Sequence, residues 1–260
     1  MSKVAILGAG AYGTALGGIL AENGHDIDYY DPAHEEERLK DVLNGAKFVV
    51  LCTPSEVTPR LLPHLDKNTP LVVATKGFLT TKYFDDFKKW GVISGPSYAG
   101  DLKNREETIM TATSDWIIQL FITDFIKFDF IEDKKAVLMC GSLKNVYAIL
   151  AGKFGLQSNT IAMKEFIESA LFEISQILEA NDADKKAAFS ACGIGDLILT
   201  CRPESRNYTF GLNLRNRQPI DFNATLEGVT TLRRIAKKEI IVPESAQFLR
   251  QLILDSESWK

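Results

Sequence analysis

Histidine is scarce in this chain of 260 residues, with only His25, His34 and His64, and its four cysteines, Cys52, Cys140, Cys192 and Cys201, are scattered without a C-x-x-C pair. Such a pattern offers no zinc-ligand spacing, so no metal is expected, and the thiols read as small buried side chains in a reducing compartment. A basic excess is also missing. With a formal net charge of −4 and a pI near 5.5, there is no cationic face to neutralise nucleic-acid phosphates or an anionic membrane. No apolar run approaches the ~18 residues of a membrane span, and no charged-then-apolar leader precedes the first strand. These absences predict a cytoplasmic protein with neither a nucleic acid nor a membrane as partner. Internal repeats, low-complexity tracts and flexible linkers are absent as well. What remains is an ordinary globular composition, 45% apolar and 25% charged, long enough for one large domain or two of common size.

The most informative stretch lies at the start, where the apolar run Val4-Ala5-Ile6-Leu7 meets Gly8-Ala9-Gly10-Ala11-Tyr12-Gly13 and then the helix-forming Thr14-Ala15-Leu16. It reads as strand, tight turn, helix. In that context Gly8 permits the sharp turn, Gly10 lets a ligand lie against bare backbone, and Gly13 lets the helix pack closely. The exposed amides and the positive end of the helix dipole then suit a dinucleotide's pyrophosphate.

A second strand is predicted over 26–30, ending in Asp31-Pro32. Asp31 lies near the ~20-residue interval at which a carboxylate accepts hydrogen bonds from the adenosine 2′-hydroxyl, which favours NAD over NADP. It also suits a plain turn opener before a polar helix over 35–43. Further strands are predicted over 47–52, 71–74, 91–93, 108–112 and 127–131, with helices over 56–65 and 115–125. The fourth strand delivers Thr75-Lys76-Gly77, and the fifth Ser94-Gly95-Pro96-Ser97-Tyr98-Ala99, to the carboxyl edge of the sheet, where α/β proteins bind ligands. Beyond about Asp133 the apolar spacing becomes three and four, as in helices. The chain therefore divides into a dinucleotide-binding domain over 1–133 and a helical substrate-binding domain over 134–260, packed along one helix with a cleft between them.

In the helical half, Gly141, Lys144, Ala148 and Ala151 share one helix face, so Lys144 stands over a groove of small residues. Partial desolvation there suits a lysine to proton transfer; the plainer alternative is a surface lysine lying along an apolar helix. Asp196 follows a pair of glycines, with Thr200 one turn later, and reads either as a site acid or as a helix cap. Ser205-Arg206-Asn207 places a hydroxyl, a guanidinium and an amide in succession, a good clamp for an oxyanion.

These segments resemble the bacterial-type NAD(P)-dependent glycerol-3-phosphate dehydrogenases. The matching stretches are Gly8-Ala-Gly-Ala-Tyr-Gly-Thr-Ala, Thr75-Lys-Gly, Ser94-Gly-Pro-Ser-Tyr-Ala, Cys140-Gly-Ser-Leu-Lys-Asn-Val-Tyr-Ala-Ile, Gly193-Ile-Gly-Asp-Leu-Ile-Leu-Thr-Cys, Ser205-Arg-Asn and Leu226-Glu-Gly-Val, in the family's order. The resemblance implies an α/β Rossmann-type N-terminal domain followed by an all-α domain like the C-terminal domain of 6-phosphogluconate dehydrogenase. It implies interconversion of dihydroxyacetone phosphate and sn-glycerol 3-phosphate, a phospholipid backbone precursor, with NAD or NADP as cofactor. Lys144 is then the proton carrier, flanked by Asp196 and Lys76. Substrate contacts fall to Lys76, Gly95, Ser97, Lys144, Asn145, Asp196, Thr200, Ser205, Arg206 and Asn207. Cofactor contacts fall to Gly8, Gly10, Ala11, Tyr12, Gly13, Asp31, Pro54, Lys76, Ala99, Arg206 and Glu227.

Two departures stand out: a shorter segment between the second and third strands than is usual in the family, and a C-terminus soon after Pro243. Both bear on the rim of the adenosine pocket and the contacts of the homodimer that the resemblance implies, rather than on the chemistry. Two other readings share the architecture: a reductase of another small oxo-compound, and a dinucleotide sensor without catalysis.

Overall fold

The computed structural model describes residues 1–33, 38–220 and 226–256, and the chain divides into two compact units, Met1–Lys134 and Lys135–Lys260. In the first, seven strands form one sheet in the order β2-β1-β3-β4-β5-β6-β7: β1 (Lys3–Leu7), β2 (Asp26–Tyr30), β3 (Phe48–Leu51), β4 (Leu71–Val73), β5 (Trp90–Ser94), β6 (Thr108–Ala112) and β7 (Ile126–Phe130). β1 to β5 pair in parallel, β5 with β6 antiparallel, and β6 with β7 in parallel. Continuous apolar runs such as Val49-Val50-Leu51 and Leu71-Val72-Val73 are buried, as expected of parallel strands covered on both faces. The chain leaves β1 for β2 on one side and reaches β3 on the other. That reversal makes the carboxyl end of β1 a topological switch point.

The helices of this unit are α1 (Ala11–Glu22), α2 (Leu39–Leu43), α3 (Thr58–Leu61), α4 (Ala99–Lys103) and α5 (Asp115–Phe121). Two are shorter than the sequence pattern predicts, and a third is described only in part. The helix expected over 35–43 is described from Leu39, and residues 34–37 lie outside the described set. The one expected over 56–65 is α-helical only over Thr58–Leu61 and tightens to a 3₁₀ turn over Leu62–His64, because Pro63 has no N–H to continue the ladder. α5 stops at Phe121 because the Asn23 amide donates to the carbonyls of Leu120 and Ile122, each at 3.0 Å. This tertiary cap comes from the end of α1, far away in sequence.

Among its described residues the second unit has only helices as regular elements, chief among them α6 (Lys134–Phe154, begun by the last residue of the first unit), α7 (Ile161–Ala180), α8 (Asp196–Thr200), α9 (Arg206–Arg215), α10 (Glu227–Ala236) and α11 (Gln247–Ser256). Every residue of α6 from Ala136 to Gly152 is buried, so this is the unit's central helix. It meets α9 backbone to backbone. A Cβ added at Gly152 would lie 2.0 Å from the Tyr208 carbonyl oxygen, and one at Gly211 would lie 1.9 Å from that of Ile149. Glu173, also buried, accepts from the Tyr147 hydroxyl at 2.8 Å and from the amides of Phe248 and Leu249, thereby joining α6, α7 and the start of α11. Burial first, and the neighbouring Glu173 second, hold the Tyr147 phenol well above its ordinary pKa. Among the described residues no helix is long and apolar enough to cross a membrane, and no group of three or more histidine, cysteine, aspartate or glutamate side chains is placed to hold a metal.

Candidate active site

The glycine turn sits at the switch point. Gly8 has φ +113°, and a Cβ there would come within 2.7 Å of the Cys52 carbonyl carbon, so only glycine lets β1 turn against the end of β3. A Cβ at Gly13 would strike the Gly8 carbonyl oxygen at 1.9 Å; this glycine backs onto the turn itself. The same Cβ would lie 3.3 Å from Cys52 Cβ at the end of β3, so Gly13 lets α1 start close against the sheet, as expected; Gly17 does the same one turn on, where a Cβ would lie 2.1 Å from the Tyr29 hydroxyl and 2.8 Å from Ile6. Gly10 differs from all of these, since nothing lies within 4 Å of its Cβ position. It forms the N-cap of α1 with no side-chain cap, which leaves the first amides of the helix for a ligand. The turn therefore fits a pyrophosphate, with open space where a ligand must approach and packed backbone behind it.

Other groups gather along the same strand ends. Asp31 follows β2 and accepts from the Ala33 amide at 3.0 Å, so one of its oxygens makes the turn. Arg38, a cation near this strand end, is held by Asp28 at 3.0 Å. Pro54 is exposed after β3, and its carbonyl accepts from Val57 and Thr58. Cys52 is only partly buried as a residue, yet burial of its thiol pushes the pKa up to about 12, with Lys76 a smaller opposing influence. Lys76, after β4, donates to the Ser97 carbonyl at 2.8 Å and lies 4.1 Å from the centre of the Tyr12 ring. Tyr12 and Ser97 also meet through their hydroxyls at 3.3 Å. Gly95 takes φ +135° to pass Met110, and Ala99 opens α4.

In the helical unit, Lys144 and Asp196 form a buried ion pair, with side-chain exposures of 3% and 2%. Asp196 is brought there by a π-helical turn over Ala191–Gly195 that runs directly into α8. Gly193 makes this path fit, because a Cβ there would lie 2.2 Å from the Ala188 carbonyl oxygen. Thr200 donates back to the Asp196 carbonyl at 2.6 Å. Ser205 is the buried N-cap of α9 and Arg206 its exposed first residue. Asn207 turns inward, donating to Asn145 Oδ1 at 3.0 Å and accepting from the Gly228 amide at 3.1 Å. Glu227 begins α10 beside that amide.

The family model for the NAD-dependent glycerol-3-phosphate dehydrogenase C-terminus matches residues 133–245, and the model for the N-terminus of the same family matches residues 3–38. A relative named glycerol-3-phosphate dehydrogenase [NAD(P)+] from Lactobacillus helveticus is 30% identical over 294 aligned positions, covering 90% of this chain and 87% of the relative. The chain belongs to the glycerol-3-phosphate dehydrogenase family. Another relative of the same name, from Teredinibacter turnerae, is 29% identical over 91% of this chain and 85% of its own length. A solved glycerol-3-phosphate dehydrogenase from Coxiella burnetii shares the fold with a TM-score of 0.79 at 24% identity, covering 98% of this chain and 95% of that one.

Within this member of the glycerol-3-phosphate dehydrogenase family, several expectations change. Lys144 is neither a surface lysine nor a lone desolvated ammonium, because Asp196 neutralises it in the interior. Asp196 is not a helix cap, its carboxylate being turned to Lys144. The Asn207 amide also bridges α6 and α10, a structural role beside the one expected of it in the clamp. Arg206 and Glu227 lie in the helical unit, within the domain where the sequence places them. The pairing of Tyr12 with Lys76 and Ser97 escaped the sequence reading. Gly152 and Gly211 escaped it too, although glycine inside a helix signals close backbone approach.

Proposed function

We propose that this protein is an oxidoreductase that interconverts dihydroxyacetone phosphate and sn-glycerol 3-phosphate, using NAD(H) in preference to NADP(H). The observation that carries the reading is the buried Lys144–Asp196 pair, in a family member whose other unit holds an open glycine turn. A nicotinamide dinucleotide bound at that turn supplies the hydride. Lys144 gives a proton to the substrate's carbonyl oxygen as negative charge develops there, and takes it back in the reverse direction. Asp196 holds the ammonium in place and balances its charge away from water. Arg206, at the open start of α9, offers two parallel hydrogen bonds to the phosphate, with Ser205 beside it. Asn207 and Asn145 act from behind, fixing α6, α9 and α10 to one another.

Lys76, Lys144 and Asp196 are all retained, whereas a sensor that had lost the chemistry has no need of the three together. A homodimer in the cytoplasm is part of the same reading: the dimer rests on the resemblance alone, and the compartment is supported by four cysteines that form no disulfide. The test is to mix the protein with NADH and dihydroxyacetone phosphate and follow the absorbance of the reduced nicotinamide. Oxidation that requires the phosphorylated ketone is expected. No oxidation with either NADH or NADPH overturns the assignment.

A further inference from the structure

We propose that Tyr12 is a positioning residue for Lys76, linking the dinucleotide turn to the ammonium that meets the substrate; this rests on the function proposed above. Three contacts close a ring. Lys76 Nζ donates to the Ser97 carbonyl at 2.8 Å and stands 4.1 Å from the Tyr12 ring centre, and the Tyr12 hydroxyl reaches Ser97 Oγ at 3.3 Å. Ser97 is fully buried, and its own amide is tied back to the Gly95 carbonyl at 2.8 Å, so two of the three corners lean on a fixed point. A lysine has a flexible four-carbon stem, and ordering it costs side-chain entropy. The ring face and the carbonyl restrict that stem to one course.

Tyr12 is the second residue of α1, next to the amides left open for a pyrophosphate. A ligand that orders this turn orders the ring, and with it Lys76. Thermodynamic linkage makes the effect reciprocal, so cofactor and substrate should each strengthen the other's binding through Tyr12.

Two measurements test this. In protein labelled with ¹³Cε-lysine, the ring current of Tyr12 should move the Lys76 Hε resonance upfield, with the assignment made by its loss in Lys76→Arg. The shift should persist in Tyr12→Phe and disappear in Tyr12→Leu. In kinetics, Tyr12→Leu should raise KM for dihydroxyacetone phosphate about 2- to 30-fold, the range spanned by exposed and desolvated cation–π contacts, with a smaller change in kcat. Tyr12→Phe should recover most of the loss. In a Lys76→Met background Tyr12→Leu should add almost nothing, which a merely structural tyrosine does not predict. Additive effects of the two substitutions, or an unshifted Lys76 resonance, overturn the proposal. If the wild type fails to oxidise NADH with this substrate, the functional reading falls, while the resonance still decides the contact.

Discussion

Lys144 and Asp196, 52 positions apart in the chain, meet as an ion pair that is almost wholly removed from water. Such a pair separates chemistry from stability in a way a surface lysine does not. Lys144→Met removes the proton donor and also strands a carboxylate in the interior. Turnover should fall by about 10²–10⁴-fold or more, and stability by about 3–5 kcal/mol. Adding Asp196→Asn should restore most of the stability in urea unfolding, yet leave turnover at the floor. A double variant that regains activity along with stability would remove Lys144 from the proton transfer.

Arg206 faces solvent at the first turn of α9, where a fork of N–H groups can engage a phosphate. Arg206→Lys keeps the charge and loses the fork. The fall in kcat/KM should be much larger for dihydroxyacetone phosphate than for unphosphorylated dihydroxyacetone. Equal losses on the two substrates would show that Arg206 does not read the phosphate.

Cofactor choice turns on Asp31, one oxygen of which is already bonded to the Ala33 amide. Its charge still opposes a 2′-phosphate, and Arg38 is engaged by Asp28. NADH should give the higher kcat/KM in the wild type. Asp31→Ser should narrow the preference chiefly by improving NADPH. An unchanged ratio would leave Asp31 as a turn residue alone.

The crossing of α6 and α9 makes a prediction of opposite sign to helix propensity. Replacing a mid-helix glycine with alanine ordinarily adds about 1 kcal/mol of stability. At Gly211 the new methyl meets the Ile149 carbonyl oxygen at 1.9 Å, with backbone on both sides and no flexible side chain to yield. Overpacking of that kind costs about 1–3 kcal/mol, so Gly211→Ala should lower Tm, whereas Gly18→Ala, at an exposed position with nothing within 4 Å, should leave it unchanged or raise it. A stabilised Gly211→Ala would mean that the two helices do not touch there.

The sequence by itself determined the elements whose cause is local. The apolar runs of β1, β3 and β4 mark buried parallel strands because both faces must be covered, and the glycines at 8 and 13 mark the turn because other residues cannot follow its backbone path or its close approaches, while Gly10 leaves open space where a ligand can approach. The change to helical spacing after Asp133 is likewise written in periodicity. Tertiary structure decided what depends on a distant partner. α5 ends where Asn23 reaches its last carbonyls, and the charge of Lys144 is balanced because a π-helical turn delivers Asp196. Asn207 faces inward because Asn145 and the Gly228 amide satisfy it, and Lys76 is aimed by Tyr12 and Ser97. Each of these is a hydrogen bond or charge contact between residues far apart in the chain. Propensity and spacing register a residue's neighbours along the backbone, whereas the partner that satisfies a buried polar group is chosen only when the chain has folded around it.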